Sequence, residues 1–207
     1  MSESIYKYFP LLPEVQKEKL SQLMQIYDRW NSMINVISRK DMDNFFVHHV
    51  LHSLALAKVI TFIPGTRILD VGTGGGFPGM PLAIMFPDSE FTLLDSVEKK
   101  IKVVTSVANE LELKNAIPVR KRVEDEKGKY DFVISRAVTG FQEFVNLTSK
   151  NIDKAGTNSL MNGILYLKGG DLSNELAQFQ NRAKVWNIKD YFDETYFETK
   201  KIVYLPD

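Results

Sequence analysis

Five glycines fall within the eight residues Gly72-Thr73-Gly74-Gly75-Gly76-Phe77-Pro78-Gly79, directly behind the apolar run Ile68-Leu69-Asp70-Val71. No other feature restricts the fold as much. The run is short enough for a buried strand, the glycines allow a tight turn whose backbone approaches a ligand closely, and Pro78 suits the first turn of a helix. Strand, glycine turn and helix in that order open a doubly wound α/β sheet. Gly74, Gly76 and Gly79 satisfy G-x-G-x-x-G, with Asp95 about twenty residues on, the dinucleotide-binding fingerprint; the pattern by itself does not select the ligand.

The rest of the chain keeps that rhythm. Apolar runs at 91–94, 116–119, 132–134 and 164–167 alternate with helical patterns at 80–86, 101–111 and 141–152, which predicts a parallel sheet with crossover helices. The tail departs from it, because 185–192 and 197–205 read as two strands joined by Asp193-Glu194, an antiparallel pair at one edge. Upstream, Leu20, Leu23, Met24, Tyr27, Trp30 and Ile34 recur at helical spacing after Pro13-Glu14. A second helical pattern runs from Asp41, a suitable N-cap, to Ile60, and Pro64-Gly65 ends it. The expected fold is therefore α/β, a Rossmann-like, mostly parallel seven-stranded sheet with an antiparallel edge hairpin, over residues 65–207. Residues 1–64 form an N-terminal helical extension packed on that core.

Charge and cysteine content narrow the chemistry. Lys and Arg number 26 and so do Asp and Glu, for zero formal net charge; indiscriminate capture of a polyanion normally shows as a basic excess, so a nucleic-acid partner must meet a local patch. The chain has no cysteine, which removes thiolate metal sites and every thiol nucleophile. Met1 to Pro10 has no secretory pattern, and no run approaches the roughly 18 to 20 apolar residues of a membrane span. The expectation is a cytoplasmic protein with no membrane partner.

Asp70 bears on the ligand. A carboxylate at the end of the first strand would repel a pyrophosphate, whereas it suits a cofactor carrying an ammonium and a sulfonium, such as S-adenosylmethionine. Asp95 closes the next strand, where an acidic side chain accepts hydrogen bonds from ribose hydroxyls. The plainer readings are that Asp70 orders the turn and Asp95 caps the helix that follows.

Five collinear motifs then carry a resemblance. Asp70-Val71-Gly72-Thr73-Gly74-Gly75-Gly76-Phe77-Pro78-Gly79, Leu94-Asp95-Ser96, Arg122-Val123-Glu124, Ser135-Arg136-Ala137 and Leu167-Lys168-Gly169 resemble, in order and spacing, the GidB/RsmG family of small-subunit ribosomal RNA methyltransferases. Trp30-Asn31 and Asn35-Val36-Ile37 resemble its N-terminal signature. The resemblance implies a class I methyltransferase that moves a methyl group from S-adenosylmethionine to N7 of a guanine in 16S ribosomal RNA, on the small subunit or an assembly intermediate, as a monomer. Carried onto this chain, Gly72 and Phe77 lie at cofactor-contacting loop positions, Val123 and Glu124 match the pair at the adenine end, and Arg136 matches the arginine beside the cofactor, the one catalytic candidate. Asp70, Gly74 and Asp95 fit the general methyltransferase pattern.

The chemistry agrees with the residues that are missing. Guanine N7 offers a lone pair and loses no proton on methylation, so in-line attack needs positioning more than a general base. Arg136 is suited to orienting the guanine or its phosphate through its planar donor fork, or to pairing with a carboxylate such as Glu124. Arg120, Lys121, Arg122 and Lys168 are candidates for phosphate contacts, while Lys99, Lys100 and Lys102 read more simply as a solvated helix face. His48-His49-Val50-Leu51-His52 lacks the glutamate of H-E-x-x-H, so no metal is expected. The family pattern there resembles Arg-His-x-x-Asp-Ser; this chain keeps His49, a further RNA candidate, and Ser53, but has His48 and His52 at the charged positions. Two histidines there would make a contact pH-sensitive near neutrality. Tyr27, Trp30 and Phe45 fit core packing better than base stacking. Two other readings remain open, a non-catalytic ribosome-assembly factor with a retained cofactor pocket and a nucleotide-dependent oxidoreductase.

Overall fold

The computed structural model describes residues 3–136 and 139–207; Ala137, the last residue of the Ser135-Arg136-Ala137 motif, lies outside the described residues. Helices come first: α1 (Glu3–Tyr8), α2 (Glu14–Met33), α3 (Arg39–Met42), a π-helical turn at Phe46–Leu51, α4 (His52–Leu54) and a 3-10 turn at Ala55–Lys58. Alternation follows, with β1 (Arg67–Val71), α5 (Gly79–Met85), β2 (Glu90–Asp95), α6 (Glu98–Glu110), β3 (Ala116–Arg120), β4 (Phe132–Arg136), α7 (Phe141–Thr148), β5 (Gly163–Gly169), β6 (Lys184–Asn187) and β7 (Lys200–Pro206).

The strands form one sheet in the order β3-β2-β1-β4-β5-β7-β6. β1 to β5 are parallel, and β7 runs antiparallel between β5 and β6. Successive residues serve opposite faces, as a pleated strand requires: Ile68, Phe132, Ile134 and Leu165 pack into the core with α2, α5 and α6, while Leu69, Val133, Ile164 and Tyr166 pack into a second core with α7. Strands buried on both faces read as unbroken apolar runs. The order of connection reverses between the parallel neighbours β1 and β4, since β2 and β3 are added on one side of β1 and β4 and β5 on the other, and the crevice beyond the carboxyl ends of strands at such a point is where doubly wound sheets take ligands.

The N-terminal helices share the first core. Leu20, Leu23 and Tyr27 of α2 are fully buried, clustered with Phe77, Met80 and Leu93. Pro13 stands at the N-cap position of α2, and the Ile34 N–H donates to the Trp30 carbonyl at its end. Tyr27 and Phe45 are core residues, and the half-buried Trp30 donates its indole N–H to Glu110 at 3.0 Å. No helix among the described residues is long and apolar enough to cross a membrane.

Two expectations need correction. The tail strands are not joined by a tight Asp193-Glu194 turn: β6 stops at Asn187, and 3-10 turns at Ile188–Asp190 and Thr195–Phe197 carry Phe192 and Phe197 into the core. Burying those two rings is worth more than extending an edge strand. Asp41 is not a helix cap either. Ser38 occupies the N-cap position of α3, Asp41 lies inside it, and its carboxylate accepts hydrogen bonds from His48 and His49.

Tyr27 also secures the glycine turn, donating its hydroxyl to the Gly75 carbonyl. Gly76 has φ +101°, and a Cβ there would stand 2.8 Å from the Tyr27 hydroxyl, whereas Gly65, at φ +81°, has open space. Alanine at Gly65 is expected to cost about 1–2 kcal/mol of backbone strain. Alanine at Gly76 is expected to cost roughly 1–3 kcal/mol more, because a buried side chain must shift as well. Urea denaturation of both variants checks the order, and equal losses would show that the Tyr27 contact does not constrain the loop.

Candidate functional site

Asp70 sits fully buried on β1. Its Oδ2 accepts the Thr73 hydroxyl at 2.6 Å and the Gly79 N–H at 2.9 Å, so one oxygen ties both ends of the glycine turn. Oδ1 has no partner among the described residues. Burial pushes its carboxyl up to about 7, against the pull of those two bonds and of Arg136. Asp95 ends β2 and plays the matching part: Oδ2 accepts the Gly74 N–H at 3.0 Å, Oδ1 accepts the Val97 N–H at 2.9 Å, and Lys100 Nζ stands 3.6 Å away.

These bonds shape a cavity of about 490 Å³ at the carboxyl ends of the strands. Val71 lines it from the end of β1 and Gly72 from the turn, Leu94 and Asp95 from β2, Val97 from the start of α6, and Lys121, Arg122, Val123 and Glu124 from the segment after β3; Arg136 closes it from β4. Of the residues singled out from sequence, Gly72, Asp95, Val123, Glu124, Arg136, Lys121 and Arg122 thus meet around one space. Asp70, Gly74 and Phe77 do not line it. Asp70 and Gly74 stand behind the wall, joined to the turn and to Asp95, and Phe77 packs its ring against Tyr27 and Phe45. Arg120 points elsewhere, paired with Glu98 at 2.8 Å.

Arg136 makes no ion pair among the described residues, so of the two roles the sequence left open the pairing with Glu124 is not made. Its guanidinium donates to the His48 carbonyl and to His49 Nδ1, each at 3.0 Å, and its carbon stands 5.4 Å from the centre of the Phe77 ring. Since an arginine only donates, His49 Nδ1 is an acceptor and its proton is on Nε2, which bonds Asp41 at 2.5 Å. Burial, seconded by Arg136, pulls the His49 ring down to about 4 and keeps it neutral at pH 7. At Asp41, burial raises the carboxyl, but the hydrogen bonds from His48 and His49 outweigh it and hold the group below its ordinary value.

A second cavity, of about 260 Å³, opens on the other side of Arg136, among Asp41, His48, His49, His52, Lys168, Tyr196 and Lys200. His48 stacks on Tyr196, ring centres 3.8 Å apart at 19°. Lys168 is held by the Thr139 carbonyl at 3.1 Å and Glu175 at 2.5 Å. His52 is buried, its Nδ1 3.4 Å from the Tyr196 hydroxyl and its Nε2 without a partner among the described residues; burial holds it well below 6.5, so it does not titrate near neutrality as the sequence suggested. Asp41, Tyr196 and Lys200 escaped the sequence reading. The one signal was the spacing of Asp41 seven and eight residues before two adjacent histidines, a separation that helical periodicity also explains.

Comparison with known proteins shows the family and the fold. A family model described as rRNA small subunit methyltransferase G matches residues 16–203. The chain is 52% identical over 204 residues to the ribosomal RNA small subunit methyltransferase G of Flavobacterium johnsoniae, covering 99% of this chain and 97% of that one. It is 49% identical over 202 residues to the protein of the same name from Bacteroides thetaiotaomicron, covering 98% of each. Among solved structures it shares its fold with a SAM-dependent methyltransferase from Aquifex aeolicus (TM-score 0.56, 16% identity, 74% of this chain and 88% of that one). It also shares it with the 16S rRNA N2 G1207 methyltransferase of T. thermophilus in complex with AdoMet and guanosine (TM-score 0.55, 16% identity, 76% of this chain and 42% of that one).

The buried groups give stability an opposed pH dependence. Unfolded histidines take up protons below about pH 6.5 while folded His49, near 4, does not, so its contribution is lost as pH falls from 6.5 toward 4. Asp70 acts the other way: folded, it keeps its proton up to about 7, so its contribution is lost as pH rises from about 4 to 7. Asp70→Asn keeps an acceptor oxygen for Thr73 and Gly79 but removes the titration. For the cofactor-free protein, the urea midpoint of Asp70→Asn is expected to fall more steeply between pH 7 and pH 5 than that of the unsubstituted chain, and that of His49→Gln less steeply. Parallel profiles would refute the assignment.

Proposed function

Since the chain belongs to the rRNA small subunit methyltransferase G family, we propose that its acceptor is N7 of a guanine in 16S ribosomal RNA, met on the small subunit or an assembly intermediate. It is a methyltransferase, and S-adenosylmethionine is its cofactor. When bound, that cofactor supplies a methyl group made electrophilic by its sulfonium. The proposal includes a monomeric, cytoplasmic protein whose residues 1–64 are a helical extension of a methyltransferase domain at 65–207.

The 490 Å³ cavity fits the cofactor on three counts. Its volume is that of a site enclosing a ligand of drug-like size, about 300–1,000 Å³. Each Asp95 oxygen spends one lone pair on a backbone N–H and keeps another for a ribose hydroxyl, while Val71, Leu94, Val97 and Val123 supply apolar wall. Asp70 stands behind the wall and answers a cation only at range, through the loop it holds: its buried Oδ1 has no partner among the described residues, and a cation in the cavity would draw the group back toward its ionised form. In this reading Gly72, Asp95, Val123 and Glu124 contact the cofactor, and Asp70, Gly74 and Phe77 act on it through the shape of the loop.

What this chain contributes to the reaction is position. The observation that carries the reading is that Arg136 lines both the cofactor cavity and its neighbour. Held by the His48 carbonyl and His49, it presents its remaining donors without having to be ordered at the moment of reaction. His49 has both nitrogens committed and is no free base; N7 attack requires none. Lys121, Arg122 and Lys168 stand at the rims, where phosphates approach, although Lys121 and Lys168 are already paired with Glu126 and Glu175.

The decisive experiment is labelled methyl transfer to small subunits lacking the modification, with the product mapped to a base and an atom. We expect 7-methylguanine in 16S RNA. Bound cofactor without turnover would favour the assembly factor, and tight NAD binding in place of S-adenosylmethionine would favour the oxidoreductase. For Arg136→Ala we expect kcat/KM to fall by about 10²-fold, the scale of a lost positioning group, with a proportionately smaller loss in stability. Equal losses in the two measurements would make Arg136 a purely structural residue.

A further inference from the structure

We infer that the 260 Å³ cavity beyond Arg136 is the acceptor-base site, taking a purine nucleotide of the RNA with its base on the Tyr196 ring and its phosphate at Lys200. The inference rests on the methyltransferase reading for the chemistry that follows binding, and on the cavity itself for the binding.

Position is the first argument. A methyl acceptor must reach the cofactor, and Arg136 is shared by the walls of both cavities. The second cavity is smaller than the range of about 300–1,000 Å³ typical of drug-sized ligands, which suits a single base rather than a dinucleotide.

The aromatic surface is the second. Tyr196 is half-buried, carries His48 stacked on it, and has Lys200 Nζ 4.7 Å from its ring centre. An aromatic ring at a cavity wall is the usual seat for an unstacked base. The Lys200 ammonium stands over that ring, a face that attracts cations. A purine entering there displaces the ammonium and leaves it available for the phosphate. Lys200 makes no ion pair among the described residues, whereas its neighbour Lys168 is matched by Glu175 at 2.5 Å. Of the two lysines on this wall, Lys200 is thus the one whose charge is open to a phosphate, while Arg136, also without an ion pair among the described residues, is committed to His48 and His49.

Discrimination is the third. Arginine has five N–H donors, and the guanidinium bonds to the His48 carbonyl and His49 Nδ1 leave others free. Guanine shows the O6 and N7 acceptors on its major-groove edge, so Arg136 can donate to O6 while N7 keeps its lone pair for the methyl group. Adenine puts an amino donor where O6 would be, and donor would meet donor. His52, nine-tenths buried and lining the same cavity, adds a ring nitrogen with no partner among the described residues, of the kind a ligand or ordered water completes.

The test uses the whole chain saturated with S-adenosylhomocysteine, guanosine 5′-monophosphate and adenosine 5′-monophosphate as probes, and NMR titration as the binding readout. Steady-state methylation of undermodified small subunits runs alongside. We expect the guanine nucleotide to bind more tightly than the adenine one and to shift the Tyr196 ring resonances. Tyr196→Ala should weaken that binding by about tenfold, the scale of one lost base–aromatic stack, and raise KM more than it lowers kcat; Tyr196→Phe should recover most of the loss. Lys200→Ala should flatten the salt dependence of binding, and it reports independently if Tyr196→Ala does not fold. Nucleotide shifts that leave Tyr196 unmoved, or an unchanged affinity and KM in Tyr196→Ala alongside an active unsubstituted enzyme, would overturn the inference. An unsubstituted chain that transfers no methyl group, yet binds the guanine nucleotide at Tyr196, would instead overturn the function proposed above and leave this site standing.

Discussion

A single buried carboxylate oxygen holds the strand ends and the glycine turn in one geometry. Burying an ionised carboxylate is costly, and Asp70 meets that cost partly through Thr73 and Gly79 and partly by a raised affinity for its proton. Everything downstream leans on the turn so formed. Gly74 reaches Asp95 because the turn is closed at both ends, Gly75 meets the hydroxyl of Tyr27, and Phe77 is delivered beneath Arg136. The N-terminal helices are joined to the glycine turn through Tyr27, so their docking and the shape of the cavity are not separable properties.

Arg136 raises the same problem with the opposite sign. A guanidinium taken out of water needs acceptors, and paired burial alone often fails to repay desolvation. Here it takes a carbonyl and a neutral imidazole, with the Asp41 carboxylate one residue further out behind His49. The consequence is a cation whose compensating charge is displaced away from the space between the two cavities, leaving donors open in that space. His48 contributes its carbonyl to Arg136 and its ring to both Asp41 and Tyr196, so one residue of the π-helical turn links the cation, the carboxylate and the aromatic wall.

Legibility in the sequence followed range. Local patterns were readable: the buried strands as apolar runs, α2 and α6 as periodic stripes, the turn as clustered glycines. Seven residues that line the larger cavity were readable too, since the motifs that carry the resemblance lie at or just beyond strand ends. What misled was chemistry that serves two purposes. An aspartate before a helical pattern reads as a cap, and Asp41 instead joins two histidines; an arginine near an acidic residue reads as an ion pair, and Arg136 instead meets His49. The tail failed for another reason, because Phe192 and Phe197 alternate plausibly as strand residues while the core draws both into non-strand turns.

The sequence by itself determined the fold class, the glycine turn and the kind of chemistry available, because strand periodicity, glycine clustering and the absence of thiols are legible along the chain. Only the tertiary structure decided which polar groups face one another: that Asp41, His49 and Arg136 form a relay from helix to strand, that Asp70 stands behind the cavity wall, and that Tyr196 and Lys200 arrive beside Arg136 from a segment some sixty residues later. Hydrogen bonds and desolvation act over a few ångströms of space, and no local pattern records which distant segments the packing of a core will bring within that distance.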